Sequence, residues 1–114
     1  MTSWIDSIVF PEPWIDLRRV NDRLARRDLV AGHRKELKRE IARGHVLHGR
    51  DWEIIGLGVP ARDDALLLLD DGAVALVHLT WRGAPEPPTW PMTVFVSSVD
   101  EFRAELEDRG YDLA

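Results

Sequence analysis

Apolar positions recur in two different rhythms along this chain, and the change falls near Gly44. Before it, Trp14, Leu17, Val20 and Leu24 are spaced by three and four, which predicts a helix over 14–30 with a single apolar stripe. Pro13 suits its first turn. Gly32 predicts a break, and 33–43 a further helix with Leu37 and Ile41 as its stripe and Gly44 as its stop. Glu36 and Glu40 sit among Lys and Arg there and read as local surface pairs. Upstream, Ser3 and Asp6 resemble an N-cap pair opening a short helix with Trp4, Ile5, Ile8 and Val9, ended by Pro11.

After Gly44 the pattern is extended. Strands are predicted over 52–59, 65–70, 73–81 and 92–97, and Asp71-Gly72 predicts a two-residue hairpin. On such a turn Leu69 faces Val74, Leu67 faces Leu76 and Ala65 faces His78. Both faces of these strands are apolar, so they are expected to be central and covered on each side. Gly56 and Gly58 share a face of the strand before them and mark close approach by another group, such as an indole ring. Ser98 and Glu101 read as a capping box for a helix over 99–109, with Val99, Phe102 and Leu106 inward and Gly110 as its stop. The expected architecture is α+β in one domain: a small antiparallel four-stranded sheet, a meander, packed with a C-terminal helix and an N-terminal helical segment. Residues 1–43 form the basic helical part, and 44–114 the sheet and last helix.

Composition narrows the function. The chain has no cysteine, which removes disulfides and thiolate metal sites and suits a reducing cytoplasm. The N-terminal stretch lacks the basic start and apolar run of a signal peptide, and the longest apolar runs are too short to span a bilayer. Charge is divided: residues 18–50 carry eleven Arg or Lys against four acids, and residues 51–114 carry four Arg against thirteen acids. This fits solvated basic helices docked on an acidic sheet domain, or attraction between two copies. The acidic total of -5 and the lack of a base-reading motif argue against nucleic acid as partner.

Candidate chemistry gathers in VALVHLTWRGAPEPPTWP, residues 74–91. His78 lies near a strand end, where Asp63 or Asp64 begins the opposite strand, and a carboxylate beside an imidazole is the arrangement of an oriented general base. No nucleophile accompanies it, since cysteine is absent and no serine sits in a nucleophile elbow. The same residues fit a structural histidine largely removed from water. Trp81 and Trp90 flank a proline loop containing Pro87 and Pro88, and these four are the binding candidates. His45 and His48 are three apart, but Gly44 and Gly49 bracket them in a turn and no third ligand is close, so no metal or cofactor is expected.

The succession GHVLHGRDW, DDALLLLDDG, VHLTWRGAPEPPTWP and SSVDEFRAEL resembles a group of small bacterial proteins of unknown function. Their pattern is a G-H-x-L-x-G segment, a DDG hairpin, a V-H-L-T-W strand, a proline loop and an S-x-x-E-F helix. The likeness covers about residues 44–106. It brings no activity or site, and it implies that His45 and His48 are not a metal pair, because the second position is often aromatic in the group. The reading favoured here is a non-catalytic protein-binding module, such as an inhibitor, an immunity-type partner or an accessory subunit, with a protein partner or self-association. The alternatives are a small enzyme using His78 with Asp63 or Asp64, and a nucleic-acid binder through Arg18, Arg19, Arg23, Arg26, Arg27 and the basic cluster at 34–39.

Overall fold

The computed structural model describes residues 4–11, 14–58, 63–83 and 90–111. Ser3, Pro13, Pro87 and Pro88 lie outside the described residues. The architecture is α+β, with strands β1 (Trp14–Asp16), β2 (Trp52–Gly58), β3 (Asp64–Leu69), β4 (Val74–His78) and β5 (Met92–Val96) and helices α1 (Arg23–Glu40) and α2 (Val99–Asp108). The strands form one antiparallel meander in chain order. The sheet therefore has five strands, not four.

The extra strand is β1, where a helix was expected. Trp14 and Leu17 are both buried, but three residues of strand followed by a 3-10 turn over Leu17–Arg19 place them, rather than a helical stripe. Asp16 caps that turn and binds Arg18 through both oxygens, at 2.8 Å each. Arg18 in turn donates to the carbonyls of Ile5 and Ile8, which holds the N-terminal 3-10 helix Trp4–Ser7 over the sheet.

Helix α1 runs through Gly32 without a break. A Cβ built there would meet nothing within 4 Å, so that glycine is on the outer face and costs only its propensity, about 1 kcal/mol. Asp22 caps the helix by accepting from Leu24 and Ala25. Only Glu36, Leu37 and Glu40 are buried along its 18 residues. Leu24, expected to face inward, is 66% exposed.

The hairpin between β3 and β4 has three residues in its turn. Leu69 pairs with Ala73, and Gly72, at φ +88°, closes the loop by donating to Leu69. This is the frequent alternative in which a turn is followed by a left-handed glycine. Asp71 accepts from Ala73 N–H, and Arg50 binds Asp71 at 2.8 Å from the neighbouring segment. Pairing therefore slips by one residue from the expectation: Leu68 faces Val74, Leu66 faces Leu76 and Asp64 faces His78.

Both faces of the sheet are covered, as expected. Ala65, Leu67, Leu69, Ala75, Val77 and Leu79 pack with Leu37 and Leu47 on one side. Leu66, Val74 and Leu76 pack with Ile8, Trp14, Phe102 and Leu106 on the other. Gly56 and Gly58 do mark close approach. A Cβ on Gly56 would lie 2.6 Å from the Phe10 ring, and one on Gly58 would lie 2.5 Å from Tyr111 Oη and 3.1 Å from the Trp14 indole.

Candidate functional site

Two polar clusters are built around the C-terminal end of β4, one on each side of the sheet. The first joins Asp64, His78, Arg109 and Tyr111. Asp64 begins β3 directly opposite His78, the last residue of β4, and Gly58 sits opposite Asp64 on its other side. The missing side chain at Gly58 leaves room for Tyr111, whose ring packs against Trp14 at 5.6 Å between centroids. Tyr111 is brought there by the end of α2. Gly110, at φ +88°, reverses the chain, with Tyr111 N–H bonded to Leu106 O and Gly110 N–H to Glu107 O. That pair of bonds is a Schellman cap.

Asp64 is 2% exposed and fully engaged. Tyr111 Oη donates to Oδ2 at 2.8 Å, Arg109 donates to Oδ1 at 2.6 Å, and His78 Nδ1 lies 3.0 Å from Oδ1. Of the two carboxylates expected near His78, Asp64 is thus its partner. Asp63 instead accepts Leu79 N–H through its backbone and acts electrostatically on His33. His78 is not withdrawn from water as expected: its side chain is 46% exposed. The one-residue slip puts it on the α2 side at the strand end, where Arg109 and Tyr111 cover Asp64 and leave the imidazole at the rim. Chemically, Asp64 orients the imidazole through Nδ1. Arg109 and Tyr111 share the same carboxylate with the imidazole. No hydroxyl of a described residue hydrogen-bonds to His78.

The second cluster was not foreseen. Glu36 and Glu40, one turn apart on α1, both point at the segment leaving β4. Glu40 accepts Thr80 N–H and Trp81 N–H, each at 2.9 Å, and Glu36 accepts Gly83 N–H at 3.0 Å. Three backbone donors of a tight turn converge in this way on two buried carboxylates. Burial and the adjacent Glu36 push the Glu40 pKa up, against the two backbone bonds that lower it. Burial also opposes charge on Glu36, but its hydrogen bond with Glu40, the Gly83 N–H and nearby Arg39 bring it below its ordinary value. The two neighbouring carboxyl groups are thus shifted in opposite directions.

The turn so held is strained. Trp81 has φ +57°, the one positive value at a described residue other than glycine. For a bulky residue that conformation costs about 1–2 kcal/mol. Trp81 nevertheless stays 43% exposed, its ring T-shaped to that of His33 at 4.9 Å between centroids. Burial lowers the His33 pKa, with Asp63 opposing. Trp90, at the far end of the connection, is 41% exposed, and Met92 and Phe95 on edge strand β5 are exposed too.

A third histidine explains how that far end is held. His45 is buried, accepts Leu47 N–H at Nδ1, and therefore carries its proton on Nε2, which donates to Pro91 O at 3.0 Å. His48 is exposed and takes no part. Among the described residues no group of three His, Asp or Glu is placed to hold a metal ion, and no helix is long and apolar enough to cross a membrane. Comparison with protein-family models, curated proteins and solved structures finds no match.

Proposed function

We propose that the chain is a non-catalytic protein-binding module of the bacterial cytoplasm, and that Trp81 is the centre of its recognition surface, with Trp90 beside the same connection. The observation that carries this is the strained, half-exposed Trp81, clamped by two buried glutamates. Strain in a loop is retained where its geometry is used, and a pre-ordered tryptophan loses little entropy on binding. Trp81→Ala and Trp90→Ala are expected to leave the fold intact while losing the same partner from affinity capture, as quantified against wild type. A partner set unchanged by either substitution sinks this reading.

The contact of Asp64 with His78 favours a second reading, a small enzyme using His78 as an oriented base. That reading expects His78→Ala to abolish a turnover that Trp81→Ala preserves. The crowding of Arg109 and Tyr111 onto Asp64, and the lack of a neighbouring nucleophile, place it behind the first. Binding of nucleic acid through the basic helix is a third reading, which Glu53 in the cleft beside that helix and Asp51 in the adjoining one disfavour.

A further inference from the structure

We propose that the overhanging part of α1 and the free edge of β2 form a docking groove for an extended acidic segment of another protein, with apolar side chains between its carboxylates. This site is separate from Trp81 and stands whether or not that reading holds.

The groove follows from two gaps in the fold. Strand β1 pairs only with residues 56–58 of β2, so residues 52–54 have β3 on one side and no described strand on the other. Asp70 N–H binds Asp51 O, and Glu53 faces Leu68 two positions on. Antiparallel alternation then turns the backbone N–H and C=O of Trp52 and Ile54 toward the open side. Above this edge, residues 23–35 of α1 include no buried side chain. The helix stands off the sheet and leaves a cleft of about 500 Å³ between Leu24, Arg27 and Val30 and the strand residues Trp52 and Ile54. Clefts of about 420 and 470 Å³ adjoin it, and Arg34 borders all three, so they run together as one trough.

The chemistry of the walls selects the occupant. Arg23, Arg26, Arg27, Arg34 and Lys38 line the trough and form no ion pair with a described residue, whereas Arg50 is taken up by Asp70 and Asp71. Closely spaced cations repel one another, and carboxylates entering the trough relieve this. Leu24, Val30, Trp52 and Ile54 call for apolar surface as well, which the methylene groups of Glu side chains carry between backbone and carboxylate. Asp51 and Glu53 also lie in the walls, which disfavours a continuous polyanion and suits carboxylates spaced along a peptide. A peptide added to a free strand edge gains main-chain hydrogen bonds and turns alternate side chains to one face. Acids at every second position would then meet α1.

The test uses a fluorescent peptide of about ten residues alternating Glu and Val, long enough to exceed the free edge. Its controls are the same peptide with Lys for Glu, the same with Pro for Val, and a single-stranded oligonucleotide of about 20 bases. Anisotropy is read with the full chain and with an R27E/R34E variant checked by circular dichroism. The Glu-Val peptide is expected to bind, about tenfold or more weakly to R27E/R34E, and the Lys and Pro peptides are expected to fail. Hydrogen exchange at the Trp52 and Ile54 amides should slow on binding. The proposal is overturned by no binding of the Glu-Val peptide at about 1 mM, by equal binding to R27E/R34E, by tighter binding of the oligonucleotide, or by sedimentation showing a dimer that R27E/R34E converts to monomer. The last result would make a second copy the occupant.

Discussion

The backbone N–H of Trp81 meets the carboxylate of Glu40 at 2.9 Å, across forty-one positions of chain. A helix side chain thereby dictates the conformation of a distant loop. Glu40→Ala removes the acceptor of both Thr80 and Trp81 and leaves Glu36 alone among backbone donors. It is expected to cost about 1–3 kcal/mol, since two part-buried donors lose their carboxylate partner. Urea denaturation measures this, and a loss below about 0.5 kcal/mol would be that of an ordinary surface site.

The same pair makes stability depend on pH. Burial and Glu36 raise the Glu40 pKa above its ordinary 4.5, so the folded chain holds that proton more tightly than the unfolded one. The resulting stability is complete below 4.5 and is lost as pH rises through the folded value. Glu36 acts oppositely, adding stability above 4.5 that disappears as pH falls through its lowered value. In Glu40→Gln the first of these slopes should vanish. Urea midpoints at a series of pH values from about 4.5 to about 8 compare the two chains. Parallel curves would mean that folding does not raise the Glu40 pKa.

Trp81→Gly and Trp81→Val both delete the indole, but only glycine accepts φ +57° without strain. The glycine variant is expected to melt close to wild type, and the valine variant to be about 1–2 kcal/mol less stable than glycine. Equal melting temperatures would mean that the backbone there is not strained.

Asp64→Ala and His78→Ala should differ in size. The carboxylate serves Arg109 and Tyr111 as well as His78, and it is buried, so its loss is expected to cost about 3–5 kcal/mol. His78 is half-exposed and carries one of these contacts, so its loss should cost about 1 kcal/mol or less. Chemical denaturation of the two variants decides the order, and a larger loss at His78 would reverse this account.

Gly58→Ala tests how that cluster is assembled. Its Cβ would fall 2.5 Å from Tyr111 Oη, so the tyrosine must move away from Asp64. A cost of about 1–3 kcal/mol is expected from overpacking. In an Asp64→Ala background the cost should shrink, because displacing Tyr111 no longer breaks its bond to Asp64. Strict additivity in that double-mutant cycle would separate Gly58 from the cluster.

The residues themselves explain how much of this was legible. The apolar runs 65–69 and 74–78 on either side of Asp71-Gly72 were plain and led to the meander, and the Ser98 cap led to the last helix. Register was not, because Leu66, Leu67, Leu76 and Val77 make both faces apolar, and a slip of one residue then exposes nothing polar to the core. Whether Asp70 belonged to the strand or the turn decided it. Trp14 and Leu17 mimicked a helical stripe because three residues of β1 are too few to show a period of two. That Asp63 or Asp64 lies near His78 emerged from hairpin pairing, although the choice of Asp64 and the parts played by Gly58, Arg109 and Tyr111 did not. Ser98 caps α2 as read, while Glu101 reaches back one residue further, to Ser97 N–H and Oγ. Glu36 and Glu40 looked like solvated partners of Lys and Arg. Their one local signal was position: both lie beside Leu37 and Ile41 on the single stripe that α1 presents to the sheet.

Anchorage of α1 by its last turn and a half has a consequence for its other end. The first turn holds no acid beyond the Asp22 cap, and Arg23, Arg26 and Arg27 crowd the positive pole of the helix. Like charge at that pole weakens it, and no fully buried side chain precedes Glu36 on the helix to compensate. The amino-terminal turns should therefore open and re-form locally, with amide exchange fastest near Leu24 and slowing steadily toward Leu37. An anion arriving there would find a helix only partly wound, and would be detected first as a gain of helical signal rather than as a change of shape.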